Sequence, residues 1–117
     1  MKLKIDGQEL ELVYSFRSNI YFEQITNKNI DFSNFSSNDL ITLFYCVFIS
    51  SLQKAKKPII SMVEFLDIID DNGGDQCVLN FSAWYTEILK SQYEVIDSMD
   101  NEKENKETKK ESKKKKN

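Results

Sequence analysis

Charged and apolar residues alternate along the opening stretch MKLKIDGQELELV, and the alternation breaks at Asp6-Gly7. A two-residue type I′ turn needs positive φ at both central positions, which Asp-Gly supplies. That turn pairs Ile5 with Gln8, Lys4 with Glu9, Leu3 with Leu10 and Lys2 with Glu11. Lys4–Glu9 and Lys2–Glu11 then share one face as cross-strand ion pairs. Leu3, Ile5, Leu10 and Leu12 share the other. A lone hairpin is marginal in water, so its apolar face must lie on helices or join a second sheet.

From Ser15 the period changes from two to about four. Phe16 and Ile20, then Tyr21 and Ile25, predict a helix over residues 15–26, closed by Asn27 as a left-handed cap. Glu23 reads as a surface partner of Arg17 or Lys28. Residues 28–35 form a connector with Ile30, Phe32 and Phe35. Ser36 and Asp39 have capping-box spacing and open a second helix reaching about residue 55. Leu40, Ile41, Leu43, Phe44, Tyr45, Cys46, Val47, Phe48 and Ile49 clothe it on every side, which marks a buried central element. Lysines and Pro58 end it. Ser61 and Glu64 open a short helix with Met62, Phe65, Leu66 and Ile69 inward, closed by Gly73-Gly74. Asp75 is the expected N-cap of a last helix to about residue 98, carrying Val78, Phe81, Tyr85, Ile88 and Gln92 at helical spacing.

The predicted fold is mainly α, of α+β type: an N-terminal β-hairpin (residues 1–13) followed by a compact bundle of about four helices, making one domain over residues 1–98. Beyond Met99 the apolar residues stop. Residues 99–117, nearly all Lys, Glu, Asn, Ser and Thr, read as a disordered charged tail. Three glycines and one proline in 117 residues suit long helices better than a many-turned sandwich.

Charge separates these regions. Residues 1–96 carry eight basic and thirteen acidic side chains, and residues 97–117 carry eight lysines and six acids. An acidic folded part argues against nucleic acid as the main ligand, because phosphate neutralisation supplies most of that affinity. Lys113–Lys116 is the longest lysine run, and the acids around it favour a solubilising tail over a nucleic-acid patch. The most apolar run, residues 40–49, is about half of what a bilayer-spanning helix needs, and the N-terminus has no signal-like apolar block. A cytoplasmic protein that does not engage a membrane is expected.

The candidate chemistry is sparse. The chain has no histidine and no CxxC, and Cys46 and Cys77 sit in apolar runs as buried, reduced thiols. The stretch Asp70-Asp71-Asn72-Gly73-Gly74-Asp75 fails the calcium-loop template, since counting back five residues from either glycine lands on Ile68 or Ile69. No glycine-rich phosphate loop and no GxSxG are found. No catalytic, metal-binding or cofactor-binding residue is assigned, and no enzymatic activity is expected.

The aromatics carry the sharper hypothesis. Tyr21, Phe22, Phe32, Phe35, Trp84, Tyr85 and Tyr93 exceed what a small bundle requires, and Tyr and Trp concentrate binding energy. They are the candidate partner-binding residues.

The segment Tyr14-Ser15-Phe16-Arg17 through Phe22-Glu23-Gln24-Ile25-Thr26-Asn27-Lys28 resembles the pattern of tail assembly chaperones of long-tailed bacteriophages and prophages. There a short hairpin leads into two aromatics before an arginine, then Phe-Glu and Thr-Gly-Lys. Here Tyr14 replaces the first aromatic and Asn27 the usual glycine. The apolar stretch Leu43-Phe44-Tyr45-Cys46 and the segment from Val63 to Asp71 are also similar, so the resemblance covers roughly residues 1–96. It implies an assembly factor in the bacterial host cytoplasm that coats the tape-measure protein, a hydrophobic helical client, until the tail tube polymerises. Many copies per client imply self-association, for which the hairpin edge offers strand addition. It also implies a longer frameshifted form, with the A-rich codons of Lys109-Lys110 and Lys113–Lys116 suiting a slippery site. The competing expectation is a small regulatory adaptor, antitoxin-like or anti-repressor, that blocks one specific partner.

Overall fold

A computed structural model describes residues 1–92, and Tyr93, the expected end of the last helix and the charged tail lie outside the described residues. The chain opens with strands β1 (Lys2–Ile5) and β2 (Gln8–Glu11), paired antiparallel in the register predicted from the turn. Asp6 and Gly7 both take positive φ, at 50° and 79°. Leu3, Leu10 and Leu12 are buried on the apolar face. On the charged face the ion pair that forms is the diagonal one, Lys2 to Glu9 at 3.7 Å, in place of the two directly opposed pairs. Long side chains on a twisted ribbon reach diagonal neighbours readily.

Helix α1 (Phe16–Thr26) ends at Asn27, whose φ of 56° makes the left-handed cap expected of asparagine. A 3-10 turn (Phe32–Asn34) interrupts the connector, with the Asp31 side chain accepting from Ser33 N. Helix α2 (Ser37–Lys54) starts with a complete capping box: Ser36 Oγ accepts from Asp39 N, and the Asp39 carboxylate accepts from Ser36 N. Leu43, Phe44, Cys46, Val47 and Phe48 are wholly buried, so α2 is the central element its all-round apolarity required. It ends at about residue 55, where the lysines and Pro58 placed its end. Lys56 adopts a left-handed φ of 58°, Lys57 N donates to Leu52 O at 2.9 Å and Lys56 N to Gln53 O at 3.0 Å, a Schellman closure without glycine.

Helix α3 (Met62–Asp71) is capped by the Ser61 side chain, which accepts from Glu64 N. It closes in the same way as α2 but with Gly73 at the left-handed position, Gly74 N donating to Ile69 O at 2.8 Å. The fourth helix, α4, has described residues 75–92. Asp75 is not its N-cap. Gly74 O accepts the first helical bond from Val78 N at 3.2 Å, and Asp75 lies in the first turn, where its charge suits the positive helix end. Met1–Tyr85 forms one compact unit; a second begins at Thr86, where Glu87 and Lys90 pair at 3.6 Å. Among the described residues no helix is long and apolar enough to cross a membrane.

Hydrogen-bonded serines knit α1 to α2. Ser15 Oγ bonds Ser50 Oγ, Ser51 Oγ accepts from Val13 N at 2.9 Å, and the buried Ser18 donates back to Ser15 O at 2.6 Å. Asn72, just past α3, clamps the hairpin: its amide accepts from Lys4 N at 2.8 Å and donates to Lys4 O at 2.9 Å.

Candidate partner-binding surface

Four of the seven aromatic candidates meet in one seam. Phe22, from α1, stacks on Phe35 of the connector with ring centroids 5.5 Å apart. Phe35 meets Phe32 at 5.0 Å, and Phe32 reaches Tyr85 of α4 at 6.1 Å. The capping box explains the placement, because the left-handed cap at Asn27 turns the chain out of α1 and Ser36 turns it into α2. The short path between them lays both phenylalanines across the seam. Tyr85 continues the chain of rings inward to Phe81 at 5.6 Å and outward to Tyr14 at 5.8 Å. The Asn19 amide bridges the two tyrosine hydroxyls, donating to Tyr14 at 3.2 Å and accepting from Tyr85 at 3.5 Å.

The other candidates sit elsewhere. Trp84 is half-buried beside Phe81 at 5.9 Å. Tyr21, also half-buried, donates its hydroxyl to Gln53 Oε1 on α2 at 2.6 Å, and Arg17 shares the same acceptor at 3.3 Å. Tyr93 lies outside the described residues.

Burial sorts the candidates. Phe22 and Tyr85 are core residues and offer no surface to a partner, a correction with a plain cause: both fill space between helices and the connector. Phe32 is 46% exposed and Phe35 half-buried, so the connector alone brings the seam to solvent. Beneath it Lys28 reaches the Asp39 carboxylate at 2.8 Å, so neither Lys28 nor Arg17 pairs with Glu23 as expected. The Lys28 ammonium, then the Ser36 backbone amide, hold the Asp39 carboxyl below its usual range. A recess of about 260 Å³ opens there, lined by Lys28, Asn29, Asp31, Asn34, Phe35 and Asp39. It is smaller than common ligand pockets, and its central charges already neutralise each other.

One inward assignment, Leu66, changes, and Phe16 of the α1 spacing lies outside. Phe16 is 75% exposed, because the buried stripe of α1 runs through Ser18 and Phe22. Leu66 is 43% exposed, while Phe65 and Ile69 hold the inner face of α3. The surface missed by sequence reasoning is therefore the outer side of α3, where Val63 is 71% exposed beside Leu66. The 3.6-residue period itself held the signal: Val63 lies more than 150° around the helix from Phe65 (about 100° per residue).

Both cysteines are buried and unpaired. Burial pushes the Cys46 thiol up to about 12 and raises Cys77 as well, which keeps both protonated and unreactive near neutrality. Among the described residues no three Cys, Asp or Glu side chains come together as a metal site.

Compared with known proteins, the chain matches no family model, no curated protein and no solved structure.

Proposed function

We propose that this protein is a tail assembly chaperone of a long-tailed phage or prophage, which binds the tape-measure protein and keeps its apolar helical faces out of water. The observation that carries the reading is the exposed apolar set on an acidic helical body: Phe16, Ile25, Phe32, Val63, Leu66 and Leu79 all face solvent. Large side chains left in water in such number suit a surface built for another protein. The resembling segment also has a physical division of labour. Phe22 and the left-handed Asn27 build the fold, whereas Phe16 within the same segment stands free.

Binding is helix-in-groove or helix-on-face, with several weak contacts per copy and many copies per client. Co-expression with a tape-measure fragment from the same gene neighbourhood tests it. The fragment aggregates alone and stays soluble, co-purifying, with the chaperone. A fragment whose solubility is indifferent to this chain removes the reading.

A further inference from the structure

The outer face of α3 joins apolar exposure to carboxylates that pair with no cation among the described residues. Val63, Leu66, Asp67 and Asp70 follow i, i+3, i+4, i+7 spacing and form one outward stripe, with Glu64 and Asp71 along its edge. Val63 is 71% exposed, Leu66 43% and Ile59, just before the helix, 50%. Between Lys57 and Lys90 the sequence has no lysine or arginine and carries six acids: Glu64, Asp67, Asp70, Asp71, Asp75 and Glu87. Among the described residues none of the four α3 carboxylates makes an ion pair. Val63 is mostly in water, and among the described residues no cation pairs with these α3 acids. The two features are complementary to one kind of surface: an apolar ridge edged by positive charge.

We infer that the outer face of α3 docks a basic amphipathic helix, whose apolar ridge covers Val63 and Leu66 while its lysines or arginines meet Asp67, Asp70 and Glu64. The inference deepens the chaperone reading and rests on it, naming the face used and the charge of the client segment. Apolar contact holds the helix, and the carboxylates select its sign and speed its approach.

Two synthetic helical peptides test this on the full chain by fluorescence anisotropy. Both carry leucines at i, i+3, i+4 and i+7; one has lysines beside that stripe and the other glutamates. The lysine peptide binds, its Kd rising several-fold as salt screens the carboxylates, and the glutamate peptide binds at least tenfold more weakly. Val63→Ser with Leu66→Ser, which leaves the buried Phe65 and Ile69 in place, lowers affinity for the lysine peptide tenfold or more while the circular dichroism is unchanged. Asp67→Lys with Asp70→Lys keeps the apolar pair and inverts the preference between the peptides. Equal binding of the two peptides, or undiminished binding by Val63→Ser/Leu66→Ser, overturns the assignment. So does concentration-dependent dimerisation that this double variant abolishes, since the occupant is then a second copy. A tape-measure fragment held equally well by wild type and Val63→Ser/Leu66→Ser leaves the chaperone reading standing and removes α3 from it.

Discussion

The chain of aromatic rings has two ends that differ in everything but chemistry. At the inner end Phe44 stacks on Phe81 at 4.1 Å and 5°, and meets Phe65 edge-on at 5.1 Å, all three wholly buried. Each sits on a helix whose backbone is held by its own ladder. At the outer end Phe32 and Phe35 ride on a connector whose hydrogen bonds are local: Asn34 N to Asp31 O, Ser33 to the Asp31 side chain, and Lys28 to Asp39. The same side chain type therefore does two jobs. Where rings are fixed from several helices they are wholly buried, and where one short loop carries them they reach solvent.

The largest test strikes the inner end. Phe44→Ala should cost about 3–5 kcal/mol in a denaturant melt, because the surrounding helices cannot collapse around the cavity. A loss no larger than that of Phe32→Ser would erase the distinction. Ser36→Ala removes the side-chain acceptor that seats the connector on α2 and should cost about 1 kcal/mol. Acid probes the same joint. Asp39 is held below its ordinary value, so its contribution is complete above about pH 4 and is lost as pH falls below that. Lys28→Met should bring the Asp39 titration, followed by NMR, back toward that of an ordinary carboxylate; an unmoved midpoint would mean the ion pair is not its main cause. The smallest stability effect belongs to Phe32→Ser, a few tenths of a kcal/mol as for other surface changes. Under the proposed function its capture of a tape-measure fragment should fall nonetheless, and a full-strength complex would take Phe32 out of the contact.

Local rules made much of the fold legible. Asp6-Gly7 with strict alternation left one register for the hairpin, and two Ser-led boxes marked the starts of α2 and α3. Hydropathy went astray where polar atoms are buried with partners. Ser18, Ser50 and Ser51 occupy the α1–α2 contact because their hydroxyls are bonded inside it, which leaves Phe16 outside. The end of α2 was legible from its lysines and Pro58, but the form of its closure was not: a lysine at a left-handed position announces nothing in a sequence, unlike Gly73 at the equivalent place in α3. Sequence reading picked out seven aromatics by number and type, and four of them, Phe22, Phe32, Phe35 and Tyr85, meet in space. It had no means of telling which ring of the stack lies on top.

The amide of Asn72 limits how the hairpin could accept an added strand. In the observed register the peptide groups of Lys2, Lys4, Glu9 and Glu11 point away from the ribbon, two along each border. Asn72 occupies both groups of Lys4, so the β1 border is interrupted at its middle while the β2 border stays open. A ribbon with one usable border joins a twin back to back and then has nothing left to offer. Any strand addition through this sheet would therefore favour a pair over a fibre.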